Sequence, residues 1–205
     1  MFLAFEGIDG AGKSTQIRLL AEHIKRDRHT KVLLLQEPGS TPLGKRVRSL
    51  LLEPRFGDLS AETEVFLFMA ARSHLVKARI RPAIEAGETV VCDRFLWSSV
   101  VYQGIVGGLG VQEVLRLGKL ATGGVMPDQT FLLDIPVATV ARRKSFRQAG
   151  DRIERKGLRF QERVRQGFLE LARKYPRRFT LIDARGKAEA VHARVVERLR
   201  RRKRK

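Results

Sequence analysis

The sequence predicts a three-layer α/β/α sandwich built on a five-stranded, mainly parallel sheet. Five short apolar runs alternate with longer segments whose apolar residues recur at helical spacing, which is the pattern of repeated β-α units. A glycine-rich loop separates the first apolar run from the first helical segment, as in nucleotide-binding α/β folds. With 205 residues and 43% hydrophobic side chains, the chain can bury the core of one such domain, residues 1–205.

The predicted elements follow in order along the chain. The apolar runs that predict strands are residues 2–5, 32–35, 89–92, 129–134 and 179–182. The segments that predict helices are 42–52, 61–85 and 111–122, with amphipathic stretches near 164–175 and 191–199. Because ligands collect beyond the carboxyl ends of parallel strands, the residues that follow each run are the first candidates for chemistry.

The loop after the first strand fits the phosphate-loop (P-loop) pattern. Its residues are Gly7, Ile8, Asp9, Gly10, Ala11, Gly12, Lys13 and Ser14, with Thr15 behind them. The glycines let backbone N–H groups close around the phosphates of a nucleotide, and the dipole of the following helix adds positive charge. Lys13 can reach the outer phosphates and Ser14 can ligate Mg²⁺. The sequence therefore predicts a nucleoside triphosphate site.

The second and third strands end in further polar candidates. Glu37 lies at the exit of the second strand, where spacing alone equally allows an ordinary surface glutamate. Arg48 lies off the apolar face of the next helix and could point to the same mouth. Asp93 directly follows the third strand, where a carboxylate supports Mg²⁺, and Arg94 suits a phosphate fork.

Two helical segments carry a candidate slot for a planar base. Phe68 and Arg72 lie one turn apart, so one could stack on a base while the other donates to it. Spacing alone favours a plainer interpretation, a core phenylalanine beside an arginine whose head reaches solvent. A second cluster, with a hydroxyl, a phenol and an amide on one helical face, consists of Ser99, Tyr102 and Gln103.

Two segments of the chain are strongly basic. Residues 143–157 are rich in arginine and poor in apolar residues that could anchor them. They suit either a mobile lid that closes on phosphates or an ordinary solvated helix face. Residues 198–205 suit a solvated, frayed tail, with an interaction tail for nucleic acid or an acidic surface as the less favoured alternative.

Composition limits the alternatives. Lys and Arg number 41 against 22 Asp and Glu, a formal charge of +19, which attracts polyanions such as nucleotides and nucleic acids. Cys92 is the one cysteine, which excludes an internal disulfide and suits a reducing cytoplasm. The first residues lack the basic flank and length of a signal peptide, and no apolar stretch approaches the roughly 20 residues that span a membrane.

Together these residues resemble the thymidylate kinase family of P-loop nucleoside monophosphate kinases, over nearly the whole chain. The phosphate loop is shared by many families and does not carry the resemblance. Its specific parts are the turn Glu37-Pro38-Gly39, the Phe68…Arg72 pair, the run Asp93-Arg94-x-x-x-Ser98-Ser99-x-x-Tyr102-Gln103 and the stretch Asp151-Arg152-Ile153-Glu154.

The resemblance implies transfer of the γ-phosphoryl group of ATP to the 5′-phosphate of dTMP, which yields dTDP and ADP. It also implies Mg²⁺ as cofactor, a homodimer, metal support from Ser14 and Asp93, and ATP contacts by the phosphate loop and Arg143. The residues implied on the dTMP side are Asp9, Glu37, Arg48, Phe68, Arg72, Arg94, Ser99, Tyr102 and Gln103. In that pattern Phe68 stacks on thymine, Arg72 and Gln103 bond to its edge, and Tyr102 crowds the sugar.

Catalysis would come from positioning and positive charge, because phosphoryl transfer asks little covalent chemistry of the protein. One branch of the family carries an arginine where Gly10 stands here, so the lid would have to supply the missing charge. The catalytic candidates are Asp9, Lys13, Arg94, Arg147 and Arg152.

Some positions depart from the family pattern, namely Gln36, Ser40, Phe95 and Val101. The loss of charge at Gln36 could weaken the grip on phosphate, and the bulk of Val101 could narrow the sugar pocket. Two rival functions remain open at this point. One is a P-loop kinase for dUMP, another monophosphate or a nucleoside, and the other is a nucleotide-dependent nucleic-acid-binding relative without turnover.

Overall fold

The computed structural model describes residues 1–28, 30–143 and 152–202. Its centre is a parallel sheet of five strands in the order β2-β3-β1-β4-β5. The strands are β1 (Phe2–Glu6), β2 (Val32–Gln36), β3 (Thr89–Asp93), β4 (Gln129–Asp134) and β5 (Phe179–Asp183). All five predicted strands are confirmed, each ending within one residue of its expected position, and the α/β fold class is confirmed with them.

Helices flank the sheet and connect its strands. They are α1 (Lys13–Arg28), α2 (Pro42–Leu52), α3 (Ala61–Leu75), α4 (Arg81–Glu85), α5 (Leu96–Ser99), α6 (Val111–Thr122), α7 (Val137–Arg143), α8 (Gly157–Lys174) and α9 (Ala188–Arg202). Hydroxyl groups cap two of them, since Thr41 accepts from the backbone N–H of Gly44 and Ser60 from that of Thr63. These caps fix where α2 and α3 begin, and both helices carry residues of the site described below.

Two π-helical segments lie among these helices. Val76–Ile80 joins α3 to α4, so the predicted helix over 61–85 is confirmed in extent but changes its winding in the middle. Val100–Val106 follows α5, and periodicity of apolar residues does not predict it. The chain folds back tightly after it, because a Cβ on Gly107 would lie 2.7 Å from the carbonyl oxygen of Gln103. Segments of this kind are frequent at functional sites.

The sheet presents a polar edge where its strands end. The central strands β1, β3 and β4 are buried almost throughout, which accounts for their continuous apolar runs. The last residue of every strand is polar, and these residues are Glu6, Gln36, Asp93, Asp134 and Asp183. Strand β1 lies between β3 and β4, so the loop that leaves it opens at the switch point where ligands bind in such sheets.

The C-terminal basic block differs from its expectation. Helix α9 continues through Arg202, and Leu199 within it is only 5% exposed because it packs into the core. The prediction of a frayed tail is therefore wrong for residues 198–202, while 203–205 lie outside the described residues. Within residues 1–28, 30–143 and 152–202, no helix combines the length and apolar character needed to cross a bilayer.

Candidate active site

The phosphate loop has the backbone geometry that its glycines predict. Gly7 has a φ of 135°, and a Cβ there would lie 2.6 Å from the carbonyl oxygen of Leu133, so no other residue fits. Lys13 folds over the loop and donates from Nζ to the carbonyl oxygens of Gly7 and Ile8, at 3.3 and 3.0 Å. Burial, with Arg94 adding to it, lowers the pKa of Lys13 to about 8. A bound polyphosphate would relieve that cost.

Ser14 and Asp93 meet at the edge of this loop, as the sequence predicts. The Ser14 hydroxyl donates to Oδ2 of Asp93 at 2.9 Å, which joins the start of α1 to the end of β3. The part of the chain that the structure describes contains no group of three or more His, Cys, Asp or Glu residues able to hold a metal ion. One hydroxyl and one carboxylate fit Mg²⁺, which in nucleotide sites takes most of its ligands from phosphate and water.

Arg94 forms the centre of the site. Its φ of 68° makes it the described non-glycine residue with a left-handed backbone, a conformation that costs about 1–2 kcal/mol. Its guanidinium donates to Oδ1 of Asp9 at 2.7 Å and to the Ser98 hydroxyl at 3.0 Å, and lies 5.4 Å from the ring centre of Tyr102. The surrounding structure thus holds a strained residue so that its charge faces the loop.

Glu6 secures the turn that contains Arg94, a role that sequence analysis missed. Its carboxylate accepts hydrogen bonds from the backbone N–H groups of Phe95 and Ser98 and from the Ser98 hydroxyl, and lies 4.0 Å from the Arg94 guanidinium. Burial raises the pKa of Glu6. The available signal was an acidic residue at the end of an otherwise apolar strand, directly before the phosphate loop.

Two clefts open around Arg94. The phosphate cleft lies over the P-loop and is lined by Gly10, Gly12, Lys13, Ser14, Thr15 and Asp93, among others. The base cleft lies between α3 and the segment 95–103. The residues that line both clefts are Asp9, Glu37, Arg48 and Arg94. The two clefts are therefore continuous, and two arginines and two acids stand at their junction.

The base cleft gathers every residue that the sequence predicts for the acceptor. All nine line it, namely Asp9, Glu37, Arg48, Phe68, Arg72, Arg94, Ser99, Tyr102 and Gln103. The plainer interpretation of an arginine whose head reaches solvent does not hold, because Arg72 is 1% exposed. Its Nε lies 2.6 Å from Oε1 of Glu37, and its Nη2 donates to the Ser99 hydroxyl at 3.0 Å. Burial raises the pKa of Glu37 to about 7, against the opposing charge of Arg72.

Tyr102 lines the base cleft and lies within the π-helical segment Val100–Val106. Burial raises the pKa of its phenol, so the group stays neutral and can donate. The expectation that Val101 narrows this pocket is wrong. Val101 is fully buried and does not line the cleft. Its side chain packs against Gly167, where an added Cβ would lie 3.0 Å from it.

Arg152, at the C-terminal end of the lid segment, is anchored rather than loose. It is 5% exposed, its Nη2 donates to Glu64, and its Nε donates to the carbonyl oxygen of Leu51 at 2.9 Å. The expectation of a weakly anchored lid is wrong at this residue, because a polar side chain supplies the anchor that apolar residues do not. Arg152 lines neither cleft of the described structure, a geometry that does not favour a catalytic role. Arg147 lies outside the described residues, as does the side chain of Arg143.

This fold and its two joined clefts define a P-loop kinase with room for a second nucleotide beside the donor. Comparison with known proteins narrows the class. The family model described as thymidylate kinase matches residues 5–195. The chain belongs to the thymidylate kinase family.

Individual relatives agree with this assignment. A thymidylate kinase from Symbiobacterium thermophilum is 44% identical over 192 residues, covering 93% of this chain and 88% of that protein. One from Desulfosudis oleivorans is 44% identical over 208 residues, covering 98% and 97%. The crystal structure of thymidylate kinase from Ehrlichia chaffeensis superposes with a TM-score of 0.79 at 33% identity, covering 97% of this chain and 98% of that one.

Proposed function

We propose that this protein transfers the γ-phosphoryl group of ATP to the 5′-phosphate of dTMP, forming dTDP and ADP. The observation that carries the proposal is the continuity of the two clefts, which share Asp9, Glu37, Arg48 and Arg94. A donor triphosphate in one cleft and an acceptor monophosphate in the other would meet end to end at this junction. Membership of the thymidylate kinase family supports the same reaction and the same acceptor.

On the donor side, the backbone N–H groups of the loop and the start of α1 would hold the ATP phosphates. Lys13, now bonded to two loop carbonyls, would turn to the outer phosphates, where burial strengthens its attraction to them. Ser14 and Asp93 would hold Mg²⁺, which supplies charge neutralisation to the transferring group. In the family pattern Arg143 would lie near the adenine.

On the acceptor side, Phe68 would stack on thymine while Arg72 and Gln103 bond to its edge. Glu37 and Ser99 do not need to contact the base for this purpose. They hold the buried Arg72 guanidinium in place from two sides, and the Phe95 carbonyl oxygen and the Met69 sulfur accept from it as well. One N–H of Nη1 is then left for the base. Tyr102 would lie against the sugar and exclude a 2′-hydroxyl by its bulk.

Charge at the junction would carry the catalysis. The two substrates are anions, so their reacting oxygens approach each other against repulsion. Arg94 and Arg48 would bind the acceptor phosphate, and Asp9 would hold the Arg94 fork in its orientation. The lid would add a further cation over the transferring group, and Arg147 is the candidate because Arg152 is engaged by Glu64.

We also propose a homodimer and a cytoplasmic location. Phe66 on α3 and Leu120 on α6 are 61% and 83% exposed, and these two helices pack against each other, which supports an apolar contact face. Cys92 is the one cysteine of the sequence and is buried, so the chain forms no internal disulfide, which suits a reducing compartment. Light scattering should give about twice the chain mass of 23.2 kDa, and a monomer mass would contradict the dimer.

The activity is tested by coupling ADP formation to a spectrophotometric readout, with ATP, Mg²⁺ and a panel of nucleoside monophosphates and nucleosides. dTMP should be the preferred acceptor. dUMP should be a poorer one, because a single methyl group in an apolar slot is worth about 1–3 kcal/mol. Preference for another monophosphate or a nucleoside would support the rival kinase, and nucleotide binding without any turnover would support the rival binding protein.

A further inference from the structure

Glu64 is a buried acid that joins two distant parts of the site without lining either cleft. It lies in the first turn of α3, and its side chain is 7% exposed. Its Oε2 accepts a hydrogen bond from Nε2 of Gln103 at 2.8 Å. Its Oε1 is bound by the guanidinium of Arg152 and lies 3.9 Å from the ammonium of Lys156.

This contact fixes which end of the Gln103 amide faces the base cleft. An ionised carboxylate only accepts hydrogen bonds, so the amide NH₂ must face Glu64 and the amide oxygen must face elsewhere. That oxygen, Oε1, is buried and has no hydrogen-bond partner among the described residues. Gln103 is itself 1% exposed and lines the base cleft. The described residues therefore leave a buried acceptor unpaired on a residue that lines the cleft, and a ligand that carries a donor can satisfy it.

An acceptor at this position distinguishes pyrimidines by the protonation of N3. Thymine and uracil carry a donor at N3, whereas cytosine carries an acceptor there. With cytosine, the lone pairs of N3 and of the Gln103 oxygen would face each other with no proton between them. Arg72, the other polar group at this edge, offers only donors and so matches a carbonyl oxygen such as O4.

Glu64 is held so that it cannot turn its carboxylate away. Arg152 and Lys156 bind one oxygen, and Arg152 is itself tied to the carbonyl oxygens of Leu51 and Leu52. A buried charge is costly unless it is paired, so any rotation of the Glu64 carboxylate away from these cations would be unfavourable. The anchor of the lid segment and the orientation of Gln103 thus depend on the same carboxylate.

We infer that Glu64 is a positioning residue that determines base specificity, because it orients the Gln103 amide to accept from N3–H of a keto pyrimidine. The inference rests on the proposed function, since it concerns the acceptor cleft of that reaction. Glu64 does not touch the base. Its effect on the choice of substrate passes entirely through Gln103.

The test is the substitution Glu64→Gln, which keeps the size of the side chain. Arg152 only donates hydrogen bonds, so it binds the amide oxygen of the new glutamine side chain. The amide NH₂ of that side chain then faces Gln103. Gln103 then turns over and presents its own NH₂ to the cleft, which suits N3 of cytosine. The ratio of kcat/KM for dTMP to that for dCMP should fall about tenfold or more, because dTMP loses a hydrogen bond between neutral groups while dCMP gains one. An unchanged ratio would overturn the inference.

A matched pair in the Gln103→Ala background separates this effect from general damage. Without the amide, Glu64→Gln should leave the dTMP to dCMP ratio unchanged, because no group remains for Glu64 to orient. An equal shift of the ratio in both backgrounds would show that Glu64 acts through the structure at large, and would contradict the inference.

Two further measurements test the role of Glu64 independently of the activity of the variant. If Glu64→Gln does not fold, NMR of the wild-type protein should show a slowly exchanging Gln103 side-chain NH₂, and rapid exchange would contradict the contact. If the wild-type protein does not phosphorylate dTMP, the proposed function fails by itself. Calorimetry of the wild type and of Glu64→Gln then tests the inference without turnover. The preference for dTMP over dCMP, given by the ratio of their dissociation constants, must fall about tenfold or more in Glu64→Gln.

Discussion

Replacement of Arg94 by methionine should abolish most of the activity while the fold survives. Arg94 lines both clefts and its guanidinium is held by Asp9 and Ser98, so it can form a fork on the acceptor phosphate. Loss of two charge-assisted hydrogen bonds at about 1.5–3 kcal/mol each predicts a fall in kcat/KM for dTMP of about 10²- to 10⁴-fold. Asp9 would also lose its contact with Arg94 beside the phosphates.

Arg94→Lys is the matched control for this substitution. Lysine keeps the charge and bears the same left-handed backbone cost, but it cannot form a planar fork. Its activity should lie between that of the wild type and that of Arg94→Met. The assay is steady-state coupled detection of ADP, with circular dichroism to confirm folding. A folded Arg94→Met protein whose kcat/KM lies within about threefold of wild type would show that Arg94 does not bind the acceptor phosphate.

Three further predictions concern the lid, a buried acid and the loop. Arg147→Ala should lower kcat about 10³-fold or more with little change in the Kd of dTMP, whereas an unchanged kcat would remove Arg147 as the lid cation. The pKa of Glu37 is 4.5 when exposed and about 7 when folded, so the folded protein binds the extra proton between these values. Stability from this group is therefore present below pH 4.5 and lost as the pH rises through 7. The free energy of unfolding, measured in urea for the wild type minus that for Glu37→Gln, should fall by about 3 kcal/mol from pH 4.5 to 8. A difference that does not change with pH would contradict this prediction. Gly7→Ala should destabilise the protein by about 2 kcal/mol or more, because its Cβ would lie 2.6 Å from the Leu133 carbonyl oxygen; an unchanged melting temperature would contradict that contact.

The strands and the phosphate loop could be predicted because their signals are local. A buried parallel strand requires a continuous apolar run, and the P-loop requires glycines at fixed spacing before a lysine and a hydroxyl. The helical stretch at 191–199 was predicted by the same reasoning and is confirmed as part of α9, whereas its extension through Arg202 was not predicted. Val195 and Leu199 are both buried at a spacing of four residues, so the apolar stripe continues into the basic block that was interpreted as a frayed tail.

The contacts that organise the site could not be predicted, because they join residues far apart in the chain. Glu64 meets Arg152 across 88 residues, and Glu6 meets the backbone of Phe95 across 89. Nothing in the periodicity of either segment indicates which distant group satisfies a buried charge. The π-helical segment around Gln103 was equally hidden, because spacings of three and four residues fit an ordinary helix as well.

A crystal structure of the protein with dTMP and a non-hydrolysable ATP analogue would show whether the two nucleotides meet end to end at Arg94. We expect thymine stacked on Phe68 with its N3 within hydrogen-bond distance of Oε1 of Gln103. The acceptor phosphate should contact Arg94 and face the terminal phosphate over Lys13. An empty cleft between Phe68 and Gln103 at saturating dTMP, or a pyrimidine bound elsewhere, would contradict the account.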